Sequence, residues 1–136
     1  MAFLLDSNVL SELRRPHRCH PNVWRWWQAN SGADFFLSAI TIGEIRNGVE
    51  LKRRKDAAAA EIIEQWLLKV QENYAGRILP VNETVADRWG VLNCPTTLPT
   101  ADSLIAATAL VHDHTIATRN VGDFARTGAK VVNPFE

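Results

Sequence analysis

Short apolar runs, each about as long as a buried β-strand, alternate along the chain with segments of helical periodicity. This alternation is the strongest constraint on the fold, because strands separated by helices pair in parallel and bury both faces of their sheet under those helices. The strand-like runs occupy residues 2–5, 34–38, 78–81, 115–118 and 130–133. The pattern predicts an α/β fold around a central, mostly parallel sheet of about four or five strands.

The chain has 136 residues and is expected to form one domain over residues 1–136 that buries roughly two-thirds of its unfolded surface. Hydrophobic residues make up 46% and charged residues 22% of the sequence, as in globular proteins rather than disordered or membrane proteins. The apolar runs are too short to cross a bilayer. Met1 leads into the first run without a basic signal segment, which predicts a cytoplasmic protein with no membrane contact.

An acidic side chain ends the first strand-like run. Asp6 stands directly before Ser7 and Asn8, which are predicted to cap the helix that follows. Asp6 either caps that helix itself or faces a ligand, because open α/β sheets bind ligands at the carboxyl ends of their strands. The sequence alone leaves both roles open.

Two later helices also carry an acid near their predicted start. Thr41 is predicted to cap a helix whose first turn contains Glu44, and Thr100 a helix whose first turn contains Asp102. An acid in the first turn is favourable through the helix dipole alone. The case for a functional site therefore rests on the placement that these acids share with Asp6.

Asn120 and Asp123 lie in a predicted loop after the fourth strand-like run. All strand-to-helix transitions of a parallel sheet share one edge, so Asp6, Glu44 and Asp102 are expected to cluster there with them. Clustered carboxylates repel unless one is protonated or a cation lies between them. Oxygen ligands favour Mg²⁺ or Mn²⁺, which activate water and stabilise the leaving oxygen in phosphodiester hydrolysis.

Motifs for rival chemistries are absent from the sequence. There is no GxSxG nucleophile elbow, no phosphate-binding P-loop and no GxGxxG fingerprint. Cys19 and Cys94 lack the paired spacing of a zinc site and are interpreted as free thiols. His17 and His20, which flank Cys19 closely, are interpreted as loop residues rather than metal ligands.

The first part of the chain is its basic part. Residues 1–55 contain nine Lys or Arg and five acids, although the whole chain has a formal net charge of zero. Basic clusters within residues 14–18 and 52–55 are candidate phosphate contacts, and solvated helix ends are the alternative interpretation of each cluster.

Three tryptophans, Trp24, Trp26 and Trp27, lie close together in a predicted helix. They offer either stacking faces for bases or the apolar face of a helix on a sheet. The arc that they cover is the one expected for helix packing, so core or dimer packing is favoured over base stacking.

Four motifs together resemble a known family. LLDSNVLSEL at the start, AITIGEIRNGV around Glu44, ADSLIAATAL around Asp102 and ATRNVGDF near the end resemble the PIN-domain ribonucleases, specifically the VapC-type toxins of bacterial toxin–antitoxin pairs. The resemblance implies a PIN-like three-layer α/β/α sandwich and a Mg²⁺- or Mn²⁺-dependent endoribonuclease that cuts structured RNA such as transfer RNA. It also implies a homodimer, neutralisation by a cognate VapB-type antitoxin, and a toxin–antitoxin hetero-oligomer.

Asp6, Glu44 and Asp102 match the three central acids of that family, and Asp123 is the fourth candidate catalytic residue. At the position that often holds a fourth aspartate stands Asn120, three residues before Asp123. The resemblance therefore implies a metal site of Asp6, Asp102 and either Asn120 or Asp123.

Ser7 and Thr118 are implied as supporting groups beside the metal ligands, again by their places in the matching motifs. Two other functions stay open. The uncharged Asn120 and the short stretch 89–102 favour a catalytically weakened RNA- or protein-binding module, and Asp6 at a strand end is also typical of a phosphotransfer nucleophile. Asn8 stands where such a phosphotransfer domain would carry its second acid.

Overall fold

The computed structural model describes residues 1–95 and 97–136. Within these residues, five parallel strands form one sheet in the order β3-β2-β1-β4-β5. The strands are β1 (Ala2–Leu5), β2 (Asp34–Ser38), β3 (Ile78–Leu79), β4 (Thr115–Ala117) and β5 (Val131–Val132). The predicted α/β fold and parallel sheet are confirmed.

Helices connect every pair of consecutive strands. They are α1 (Ser7–Leu13), α2 (Pro21–Ala29), α3 (Ala39–Arg53), α4 (Ala57–Asn73), α5 (Glu83–Leu92), α6 (Thr100–His112) and α7 (Val121–Ala125), with a short 3-10 helix at Pro16–Arg18. Parallel strands require such long crossover connections, because they cannot be joined by a tight turn.

The central strand β1 separates two cores, because its side chains alternate between the faces of the sheet. Phe3 and Leu5 pack on one face with residues of α1, α2, α3 and α4, whereas Leu4 packs on the other with α6 and α7. Leu4 and Leu5 are both fully buried. Helices therefore cover both faces, and the predicted three-layer α/β/α sandwich is confirmed.

The tryptophans of α2 belong largely to the first of these cores. The Trp26 ring meets the Phe3 ring edge-on at 5.1 Å between centroids, and the Trp27 ring lies 4.4 Å from that of Phe35. These contacts confirm the packing interpretation for Trp26 and Trp27.

The direction of strand addition reverses at β1, and this reversal locates the functional edge. From β1 the chain adds β2 and β3 on one side, then crosses to add β4 and β5 on the other. Leu5 at the end of β1 pairs with Ala117 at the end of β4. Open parallel sheets bind ligands at such a switch point, beyond the carboxyl ends of the strands.

Three predicted helix caps were wrong, two of them for the same reason. Asp6 rather than Ser7 or Asn8 caps α1, and Ser38 rather than Thr41 caps α3, each through its own side chain. At both places the chain passes from strand into helix without a loop, so the last polar residue before the helix serves as the cap. Thr100 is the first residue of α6, preceded by Pro99 without a side-chain cap.

Other boundaries also differ from the prediction. Because α3 begins at Ala39, Glu44 lies in its second turn rather than its first. The third strand ends at Leu79 rather than continuing to residue 81, since Pro80 has no N–H to donate to a sheet. Asp123 lies in the short helix α7 rather than in a loop.

Residues 94–95 and 97–99 contain no helix or strand, and Thr96 lies outside the described residues. In residues 1–95 and 97–136, none of the helices combines the length and the apolar character needed to span a membrane.

Candidate active site

Asp6 holds a nearly buried carboxylate at the carboxyl end of β1, with only 4% of the residue exposed. One carboxylate oxygen accepts the backbone N–H of Ser7 at 2.9 Å. The other accepts the Thr118 hydroxyl at 2.7 Å and the Asn8 side-chain amide at 3.3 Å. Asp6 therefore caps α1 and, at the same time, is fixed at the edge of the sheet where ligands bind.

The Thr118 hydroxyl connects the ends of β1 and β4. Besides donating to Asp6, it accepts the backbone N–H of Asn120 at 3.0 Å and the Asn8 amide at 3.3 Å. The side-chain oxygen Oδ1 of Asn8 in turn accepts the backbone N–H of Arg119 at 3.2 Å. Asn8 was not predicted as a site residue; the signal was an amide two residues beyond a strand-terminal acid, at the start of a helix.

Ser7 contacts the site differently from the expectation of a supporting side chain. Its backbone N–H binds Asp6, and its side chain lines a groove beside Glu44. Of the two predicted supporting residues, Thr118 is the one whose side chain contacts Asp6 directly.

Glu44 reaches the same region from the second turn of α3. Partial burial raises the pKa of the Glu44 carboxyl, and the negative charges of Asp6 and Asp102 raise it further. Burial and like charges both disfavour the ionised form, so the shift also reports that these three acids are neighbours. Glu44 itself stays on an exposed side of its helix.

Asp102 is placed at the site by a connection that the sequence did not indicate. The helix α6 follows α5 and a loop rather than a strand, so the predicted strand-to-helix transition at Asp102 was wrong. Because α6 leads into β4 and runs antiparallel to it, its first turn still lies at the carboxyl edge of the sheet. Burial raises the pKa of the half-buried Asp102, followed by the charges of Asp6 and Asp123.

Asn120 and Asp123 are both exposed at the start of α7, but they make different contacts. The Asn120 backbone N–H donates to Thr118, and its side chain makes no capping hydrogen bond. Asp123 acts electrostatically on Asp102 and lies 4.0 Å from the guanidinium of Arg126. The charge of Asp123 therefore acts on Asp102, whereas Asn120 contributes no charge to the site.

The donor set of this site consists of carboxylate oxygens, which suit Mg²⁺ or Mn²⁺ and differ from the nitrogen and sulfur ligands of zinc sites. In the described chain, no three His, Cys, Asp or Glu side chains are arranged closely enough to hold a metal ion. Mg²⁺ does not require such a cage, because it usually binds one or two carboxylates together with waters and substrate phosphate. The carboxylates of these acids are thus ligands of the type that Mg²⁺ prefers.

His20 has a structural contact. Its ring nitrogen Nδ1 accepts the backbone N–H of Asn22 and thereby caps α2. His20 therefore lies in the loop before α2, as interpreted, whereas His17 lies in the 3-10 helix Pro16–Arg18 rather than in a loop.

A profile of the PIN domain matches residues 3–130. The chain belongs to the PIN-domain family. This PIN domain is 39% identical over 141 residues to the protein named Toxin FitB of Neisseria gonorrhoeae, covering 97% of each chain. It is 33% identical over 142 residues to the VapC ribonuclease Y4jK of Sinorhizobium fredii, covering 98% of this chain and 97% of that relative.

The crystal structure of FitAcB from Neisseria gonorrhoeae superimposes on this PIN domain with a TM-score of 0.84 and 34% identity. The match covers 98% of this chain and 99% of that one. Because the likeness extends over nearly the whole chain, it includes the sheet edge that carries the acids.

Thr118→Val tests the connection between β1 and β4. The valine keeps the volume but removes the donor to a buried carboxylate, so we expect a loss of about 1–3 kcal/mol in the free energy of unfolding. Urea denaturation measures this loss. Thr108→Val is the matched control, because the buried Thr108 hydroxyl donates only to the carbonyl of Leu104 in its own helix. Equal losses in the two variants would contradict the special role of Thr118.

Glu44→Gln tests the repulsion among the acids. A raised carboxyl pKa means that the folded protein binds a proton more tightly than the unfolded chain, so ionised Glu44 lowers stability once the pH exceeds its ordinary pKa of about 4.3. We therefore expect Glu44→Gln to raise the melting temperature at pH 7, with a gain that shrinks as the pH is lowered toward 4. A gain that is independent of pH would show that repulsion is not its cause.

Proposed function

We propose that this PIN domain is the ribonuclease toxin of a toxin–antitoxin pair. The observation that carries the proposal is the convergence of Asp6, Glu44, Asp102 and Asp123 at the switch point between β1 and β4, where neighbouring carboxylates raise the pKa values of Glu44 and Asp102. Acids with perturbed pKa values at a sheet edge are typical of catalytic sites. The names of the relatives, a toxin and a VapC ribonuclease, support the same function.

We propose that Mg²⁺ or Mn²⁺ binds among Asp6, Asp102 and Asp123, with one or two of these carboxylates as direct ligands and the others held through water. The excess of negative charge among them supports a cation, and Asp123 is favoured over Asn120 because its charge acts directly on Asp102. When bound, such an ion supplies a water activated for attack and neutralises charge on the phosphate and the leaving oxygen.

Glu44 is proposed to hold and transfer the proton. General acid–base catalysis works best when the pKa of the catalytic group lies near the working pH, and burial together with Asp6 and Asp102 moves the Glu44 pKa in that direction. Glu44 would accept a proton from the attacking water. Meanwhile Thr118 and Asn8 keep the Asp6 carboxylate in one orientation, so that it needs no rearrangement when substrate arrives.

The substrate is proposed to be structured RNA, such as transfer RNA, and the partner a cognate VapB-type antitoxin. We further propose that residues 1–136 act as one domain in the cytoplasm, as a homodimer and within a toxin–antitoxin hetero-oligomer. Support for these proposals comes from the four motifs that resemble VapC-type toxins and from the toxin relative, which is matched over 97% of its length.

A catalytically weakened RNA- or protein-binding module is the second candidate. Asn120 favours it, because an amide stands where the family often has an aspartate and the Asn120 side chain adds no charge. Metal-dependent cleavage by the purified chain separates the two candidates.

Asp102→Asn tests catalysis by the acid site. The purified chain, free of any partner, is incubated with total transfer RNA and Mg²⁺ or Mn²⁺, and cleavage is followed on denaturing gels. We expect cleavage that EDTA abolishes and that Asp102→Asn lowers by at least about 100-fold, since the ion that Asp102 is proposed to hold contributes several kcal/mol of charge stabilisation.

Asp87→Asn is the matched control for this test, because Asp87 is an exposed aspartate in α5 and should tolerate the same exchange without loss of cleavage. The ribonuclease proposal is contradicted if the wild-type chain leaves all RNA intact. It is also contradicted if Asp102→Asn cleaves as fast as the wild type.

A further inference from the structure

Two basic segments that are distant in the sequence meet at one groove beside the acids. The groove has a volume of about 430 Å³ and lies between α1, α3 and α4. Its lining includes Ser7, Ser11, Arg14, Glu44, Lys52 and Trp66. It thus contains one acid of the candidate active site together with one cation from each of the two basic clusters.

The order of residues along the helices gives the groove a direction. Ser7 and Arg14 are seven residues apart on α1, and Glu44 and Lys52 are eight apart on α3. At about 1.5 Å per residue, the cation of each pair is displaced by roughly 10–12 Å along its helix from the end near Asp6. Both walls therefore change from acidic or polar at the site to basic farther out.

Arg14 and Lys52 differ from the other cations of this region in their partners. Arg46 and Arg53 are engaged by acids of α3 and α4, including Glu64. By contrast, neither Arg14 nor Lys52 forms a salt bridge within residues 1–95 and 97–136. Their charges are available to a ligand.

Arg14 is also held in place, because its guanidinium lies 5.5 Å from the centroid of the Trp66 ring. Lys52 also lines an adjoining surface depression, together with Arg54 and Lys55. The cations thus form a row that begins at Arg14 and leads away from the acids. Such a row can bind a chain of negative charges.

We propose that this groove binds the RNA backbone on one side of the scissile bond, with Arg14 and Lys52 contacting phosphates that flank the cut. The inference rests on the proposed function for the identity of the chain that is cut. RNA is favoured over an acidic protein segment because the groove opens beside Glu44, Asp6 and Asp102, where only RNA would place a scissile phosphate next to acids proposed to hold a divalent cation.

The test measures RNA binding rather than cleavage. A short, labelled single-stranded RNA of mixed sequence is titrated with the full chain carrying Asp102→Asn, in a series of salt concentrations. In this background Arg14→Ala and Lys52→Ala should each weaken binding by about three- to tenfold. Each should also reduce the slope of log K against log salt by about 0.7, the value for one phosphate contact on a single strand.

Two controls separate a charge contact from a structural effect. Arg14→Lys keeps the charge while changing the stacking on Trp66, and it should retain the salt slope of the parent. Arg25→Ala removes an exposed cation of α2 that does not line the groove, and it should leave both affinity and slope unchanged.

Unchanged salt slopes in Arg14→Ala and Lys52→Ala would overturn the inference, as would an equal reduction in Arg25→Ala. Binding of a polyglutamate peptide that depends on Arg14 and Lys52, with RNA binding unaffected, would assign the groove to a protein partner instead. Failure of the proposed function looks different: the wild-type chain would then bind RNA through the groove but leave it uncut.

Discussion

The hydrogen bond from Thr118 to Asp6 is the contact on which the rest of the site depends. A buried carboxylate is costly unless it is hydrogen-bonded, and here the donors come from the start of α1 and from the end of β4. These two segments are neighbours only because the chain crosses over β1 after building β2 and β3. The geometry of the site therefore follows from the order of the strands.

The acids around Asp6 repel one another, whereas other charges of α3 are paired. On α3, Arg46 is paired with Glu50 and with Glu64 of the neighbouring helix. Glu44, on the same helix, forms no salt bridge among the described residues and lies near the like charges of Asp6 and Asp102. Functional sites often retain such destabilising arrangements. The conflict is resolved if a cation from outside the chain binds there.

Much of the fold could be predicted from the sequence, because apolar runs and helical periodicity report burial directly. Caps were missed where strands pass straight into helices and a strand residue such as Ser38 takes the capping role. The proximity of Asp6 and Asp102 was predicted, but for a partly wrong reason. No strand precedes α6; its first turn lies at the carboxyl edge of the sheet because α6 runs antiparallel to β4. Asn8 was missed because its partners lie more than 100 residues away in the sequence.

The central claim is that a divalent cation binds among Asp6, Asp102 and Asp123. Titration with Mn²⁺, followed by the loss of the free-ion signal in electron paramagnetic resonance, tests it most directly. The account predicts that the wild-type chain binds Mn²⁺, that Asp123→Asn weakens binding by at least about tenfold, and that Asn120→Ala retains it. Equal affinities of the wild type and Asp123→Asn, or no binding by the wild type, would contradict the claim.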